Sequence, residues 1–116
     1  MEIFHKSEHF QGNVKPIYKD ESKTYNETLK NAIKKRVVLN GANISNMDLS
    51  NLDFSGISLA GVLFAHSKID NSSFENCDLR DSDFSGVNFE NANFNNADTR
   101  RLITDEVHCK YENLMQ

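Results

Sequence analysis

The 116 residues hold only two cysteines, Cys77 and Cys109, so at most one disulfide can form. No apolar stretch of about 7 to 15 residues follows the first methionine, as a secretory leader requires, and none is long enough to cross a bilayer. The expectation is a cytoplasmic protein with free thiols and no membrane span, delivered into a host cell if it is an effector. Positive charge is also scarce: 13 Lys and Arg stand against 17 Asp and Glu, for a net charge of -4. No basic run suits a nucleic-acid groove, so direct nucleic-acid binding is not expected. Catalytic signatures are missing too, with no phosphate loop, dinucleotide fingerprint or nucleophile elbow. His108 and Cys109 are adjacent and lack zinc-ligand spacing, Cys77 reads as a packing residue, and His66 reads as a surface corner. No enzyme activity, cofactor or metal is expected.

A chain of this length forms one modest domain. Its charge divides unevenly into a basic head over residues 1–36, an acidic middle over 37–98 and a balanced tail.

What the middle does have is a period of five. From Leu39, every fifth residue is apolar: Ile44, Leu49, Phe54, Leu59, Phe64, Ile69, Phe74, Leu79, Phe84, Phe89 and Phe94. With 38% of the chain apolar, twelve matches in one preset frame arise by chance on the order of once in a hundred thousand. The place before each is often Asp or Asn, and two places before stand mostly small or apolar residues such as Ser67, Ser72, Cys77 and Ser82. Two places after comes Gly or Asn in most cases, residues that tolerate positive backbone angles, so a turn recurs about every five residues. A short extended piece followed by a corner, repeated, stacks on itself with rungs about 4.8 Å apart.

Segments such as "ANFNN", "SDFSG" and "CDLRD" are similar to those of the pentapeptide-repeat family, whose signature is A(D/N)LXX, over roughly residues 37–99. The resemblance implies an all-β solenoid, a short right-handed quadrilateral β-helix of about three coils with four pentapeptides per coil. Residues twenty apart should then stack, Phe54 on Phe74 on Phe94. Asn51, Asn71 and Asn91 align as an amide ladder would require. Met47, Leu52, Ile57 and Val62 depart from the pattern and predict a wider or distorted first coil, while Thr99 reads as the stop.

Both ends of such a rod must be covered. Upstream, "TYNETLKNAIKKR" has Thr24 and Glu27 at capping-box spacing and Tyr25, Leu29, Ala32 and Ile33 on one side of a helix, with Lys34, Lys35 and Arg36 at its end. Residues 1–20 show no period and read as an irregular arm. Downstream, Val107, Tyr111, Leu114 and Met115 sit at helical spacing and either cap the last coil or join two copies as a homodimer through a C-terminal helix. The expected division is 1–36 arm and capping helix, 37–99 β-helix, and 100–116 C-terminal amphipathic helix.

With no chemistry in view, the surface carries the function. The expected role is a protein–protein interaction module acting as an accessory, regulatory or effector protein. The alternative is an acidic DNA mimic that inhibits or protects a DNA-handling enzyme, because the resemblance includes members that shield DNA gyrase in this way. Candidate contacts are Asp48, Asp53, Asp70, Glu75 and Glu90, spread over two adjacent sides, and Leu63 with Ala65. Leu63 stands where Asp or Asn is usual, so it predicts an apolar spot covered by the N-terminal arm or by a partner.

Overall fold

The structure, a computed structural model, describes residues 1–6 and 16–105. Within 39–105 the five-residue period becomes a β-helix-type ladder. Single parallel bridges join residues twenty apart: Asp48 to Lys68, Asp53 to Ser73 to Asn93, Ser58 to Asp78 to Asp98, and Asn43 to Leu63 to Asp83 to Ile103. The period of five and the stacking at twenty sort the apolar residues into four inward columns. These are Ile44, Phe64 and Phe84; Leu49, Ile69 and Phe89; Phe54, Phe74 and Phe94; and Leu39, Leu59 and Leu79, none more than 4% exposed.

Two of the columns are aromatic and face each other. Phe54, Phe74 and Phe94 stack nearly parallel with ring centroids 4.9 and 5.0 Å apart, and Phe64 lies over Phe84 at 4.4 Å. Across the axis the rings meet edge to face, Phe64 against Phe74 at 5.5 Å. Each buried ring contributes about 1.5 to 3 kcal/mol by leaving water, and each aromatic pair about 0.5 to 1.5 kcal/mol more.

The corners explain the period. Backbone φ is positive at every fifth residue from Gly41 to Arg101 except Asn91, including His66 at 62° and Asp81 at 61°. The residue preceding each column position locks the turn after it. Oδ1 of Asp48, Asp53, Asp78, Asp83 and Asp98 accepts from the backbone N–H two residues on, at 2.9 to 3.2 Å. An aspartate there supplies the acceptor that a tight turn lacks.

The widening or distortion expected beside Met47, Leu52, Ile57 and Val62 does not interrupt the stacking bonds. The N–H groups of Ile44, Leu49, Phe54 and Leu59 reach carbonyls of the next layer at 2.7 to 3.0 Å. The bulk is accommodated because each large residue lies under a small one, Met47 under Ser67 and Leu52 under Ser72. Those small residues also bond. Ser67, Ser72 and Ser82 donate their hydroxyls to the carbonyls of Ile44, Leu49 and Leu59, and Cys77 donates its thiol to Phe54. Irregularity falls instead at Asn91, where φ is not positive and the Asn71 N–H meets the carbonyl of Asn91 itself. The side chains of Asn51, Asn71 and Asn91 are exposed, and the described bonds among the three run through the backbone, so no amide ladder forms. Nor does the ladder stop at Thr99; Phe84 N–H still reaches the Ile103 carbonyl at 2.7 Å.

The beginning of the chain is more ordered than its sequence predicts. β1 (Glu2–His5) pairs antiparallel with β2 (Tyr18–Lys19) on one side and β3 (Ala42–Asn43) on the other, in the order β2-β1-β3. β1 thereby covers the β3 side of the first layer, with Ile3 1% exposed. The helix α1 (Tyr25–Lys34) begins as expected, with Thr24 accepting from Glu27 N–H at 3.1 Å. It ends in a Schellman arrangement, Arg36 N–H to Ile33 and Val37 N–H to Ala32, with Arg36 at φ 55°. Leu29 and Ala32 join the core, but Tyr25 remains 40% exposed and the buried polar residue is Thr28. Asp20 explains Thr28: its carboxylate accepts from Thr28 Oγ1 and Asn31 Nδ2 at 2.9 Å and from Ser22 N–H at 3.0 Å, while Met1 donates its amine to the Asp20 and Ser22 carbonyls. Val107, Tyr111, Leu114 and Met115, with the helix expected there, lie outside the described residues.

Candidate functional site

The ladder column above β3 also determines what faces outward. Residues directly paired across strands project to the same side. Phe4 pairs with Asn43, which bridges Leu63, then Asp83, then Ile103. These five form one outward row running along the stacking direction. Phe4 and Leu63 are half-buried and Ile103 is 52% exposed. Ala65, expected as the neighbour of Leu63, is half-buried beside it. Leu63 therefore has Asn43 of β3 and Asp83 on either side of it, with β1 one rung beyond Asn43, and stays partly open.

The other columns present different chemistry. Outward from Leu49, Ile69 and Phe89 stand Asp48, Ser50, Lys68, Asp70, Asn88 and Glu90. Outward from Phe54, Phe74 and Phe94 stand Asp53, Ser55, Ser73, Glu75, Asn93 and Asn95. Both sets are wholly polar. On the Leu59 and Leu79 side the charges neutralise each other: Arg80 pairs with Asp78 at 2.7 Å and approaches Asp98 at 3.8 Å, Arg100 pairs with Asp98 at 2.6 Å, and at the neighbouring corner Arg101 pairs with Asp81 at 2.7 Å. Hydrogen bonds from Arg100 hold the Asp98 carboxyl down at about 2.

The five acids named from the sequence are thus distributed over two columns and do not converge. Asp48 and Asp53 are occupied by their turns; bonds from Ser50 and Ser55 lower both carboxyls below the usual range. Among the described residues no group of three His, Cys, Asp or Glu is placed to hold a metal ion. The described cysteine, Cys77, is buried, and desolvation pushes its thiol up to about 11. No helix of the described residues is long and apolar enough to cross a membrane.

Two shallow grooves flank the first layer. One, of about 600 Å³, lies between the start of α1 and the Ser45–Asp48 corner, where Asn26 Nδ2 bonds the Asp48 carbonyl at 3.1 Å. The other, of about 180 Å³, runs beside Val38, which is 71% exposed. Sequence reasoning missed Phe4 and Ile103 as members of the outward row. Only the antiparallel docking of β1 brings Phe4 into line, and Ile103 lay beyond the expected stop; the five-residue frame continued to Thr104 would have placed it.

A family model described as a pentapeptide repeat region matches residues 28–102. Among solved structures, the chain is similar to a pentapeptide repeat protein from the thylakoid lumen of Arabidopsis thaliana, at 29% identity and a TM-score of 0.38, covering 50% of this chain and 48% of that one. It is also similar to a pentapeptide repeat protein from the cyanobacterium Cyanothece 51142, at 17% identity and a TM-score of 0.24, covering 55% of this chain and 60% of that one. The chain therefore spans about half the length of the first of these and 60% of the second. No curated protein matches it.

Proposed function

The chain belongs to the pentapeptide-repeat family, and from that footing we propose that it is a non-enzymatic protein–protein interaction module, an accessory, regulatory or effector protein that binds through the row of Phe4, Leu63 and Ile103. The observation that carries this reading is the break in the outward pattern. Bridged outward positions on two columns are uniformly polar, whereas this row alternates apolar and polar along the whole ladder. Apolar side chains at partly exposed, evenly spaced rungs suit a partner contact. We read the scaffold as a right-handed quadrilateral β-helix of about three coils, with β1 and α1 as its N-terminal cap; the twenty-residue bridging and the five-residue corners support four sides per coil.

The acidic DNA-mimic reading has less behind it. Asp78, Asp81 and Asp98 are matched by arginines, and Asp48 and Asp53 hold turns. One comparison separates the two readings: affinity purification from the source organism with the wild type, with Leu63→Asp, with Ile103→Asp, and with Asp48, Asp53, Asp70, Glu75 and Glu90 neutralised together. Partners should be lost from the first two variants and kept by the third. The reverse pattern, with a topoisomerase or nuclease lost on neutralisation, would establish the mimic.

A further inference from the structure

The geometry of the same row points to the kind of partner, an inference that rests on its being the binding face. Successive rungs of a β-ladder are about 4.8 Å apart. Phe4 and Leu63 are two rungs apart, with Asn43 between them, and Leu63 and Ile103 are two rungs apart, with Asp83 between them. The apolar contacts therefore recur at about 9.6 Å along the stacking direction, in one register from Asn43 to Ile103. An α-helix advances about 10.5 Å in seven residues, and a slight tilt closes the difference. A strand repeats its same-face side chains at about 6.8 Å and does not match. The rungs of this row are also bonded on both sides from Asn43 to Asp83, so they offer a face and no edge for an added strand.

Charge fixes what lies between the apolar contacts. From Asn43 to Asp105 the outward positions of this face carry Asp83 and Asp105 and no Lys or Arg. Asp105 is used, its Oδ2 accepting from Gly86 N–H at 2.8 Å. Asp83 accepts from Ser85 through Oδ1, and among the described residues it makes no ion pair. It sits midway between the two apolar rungs Leu63 and Ile103. We propose that this row takes an amphipathic α-helix of a partner protein, lying along the stacking direction, with apolar side chains seven residues apart on Phe4, Leu63 and Ile103 and a lysine or arginine on Asp83. Anchors at that spacing on one helix face, with a single basic residue half a heptad away, form the recognition element.

The probe is a fluorescein-labelled helical peptide of roughly 18 residues with three leucines seven apart and one lysine midway between the second and third; a twin carries glutamate for the lysine. Binding is read by fluorescence anisotropy on the full chain. The lysine peptide should bind in the micromolar range, and Leu63→Asp or Ile103→Asp should weaken it at least about tenfold, while the glutamate twin binds poorly. Asp83→Lys should invert the preference between the two peptides. These variants keep the fold, because Asp is the common residue at this motif position and Lys68 already occupies it elsewhere. Asp53→Lys, on another column, should change nothing. Affinity indifferent to Leu63→Asp and Ile103→Asp, or a charge preference that Asp83→Lys does not invert, overturns the helix. If the peptides fail while Leu63→Asp still releases the cellular partner, the face stands and its occupant is not a helix; if neither responds, both fall.

Discussion

The imidazole of His66 fills the space in which a β-carbon on Gly86, twenty residues on, would have to sit. The two stack in one corner column, both with positive φ, 62° and 72°. Glycine at 86 is therefore favoured by conformation and required by its neighbour. Gly86→Ala should lower stability by at least about 1 kcal/mol more than Gly56→Ala, which meets only the backbone cost because nothing lies within 4 Å of the added carbon. Combining it with His66→Ala should recover the difference. Urea unfolding of the four variants checks this.

The hydroxyl of Ser72 donates to the Leu49 carbonyl and accepts from Leu52 N–H at 3.3 Å inside the core. Ser72→Ala leaves two buried backbone groups without that partner and should cost about 1 to 3 kcal/mol. Ser85→Ala removes a half-buried hydroxyl and should cost less than about 1 kcal/mol. The shift in thermal midpoint distinguishes them.

Cys77 sits at the equivalent place to Ser72 in the next column, its thiol on the Phe54 carbonyl. Burial holds that thiol at about 11, so thiolate is scarce at neutral pH. In a Cys109→Ser background, Ellman's reagent should leave the native protein unlabelled and react with one thiol in urea. Immediate labelling under native conditions would refute the packing. Cys77→Ser should fold, since serine meets the same need in three neighbouring positions.

Bonds from Asn31, Ser22 and Thr28 hold the Asp20 carboxyl well below the usual carboxylate range. A depressed folded value means that stability is present above the unfolded value, near pH 3.9, and is lost as pH falls through the folded one. Asp98, held at about 2 mainly by Arg100, acts in the same direction. The stability gap between the wild type and Asp20→Asn should be constant from about pH 5 to 8 and shrink progressively below pH 4, measured by denaturant unfolding.

The scaffold was legible where one force acted alone. Each inward position from Leu39 to Phe94 buries a large apolar group, so period and column followed directly, and Phe54, Phe74 and Phe94 stack as expected. Where two forces compete, the sequence misled. Asn51 and Asn71 were spent on positive φ and not on an amide ladder, and the bulk of Met47 and Leu52 was absorbed by the small residues above. β1 was invisible because "EIFH" is too short to show alternation and its partners lie fifteen or more residues away. The candidate site was half legible. Leu63 broke a visible rule, but Phe4 obeyed none, and only pairing places it on the same row.

An antiparallel strand laid over β3 also ends growth in that direction. A parallel ladder is self-templating: each layer offers the next the same unsatisfied pattern, and identical rods could add to one another without limit. β1 reverses the polarity at the first layer, and the outer strand it brings, β2, is two residues long and ends in Lys19. On the β3 side the first layer therefore presents an antiparallel, already paired strand, and a second rod meets no free parallel edge there to extend.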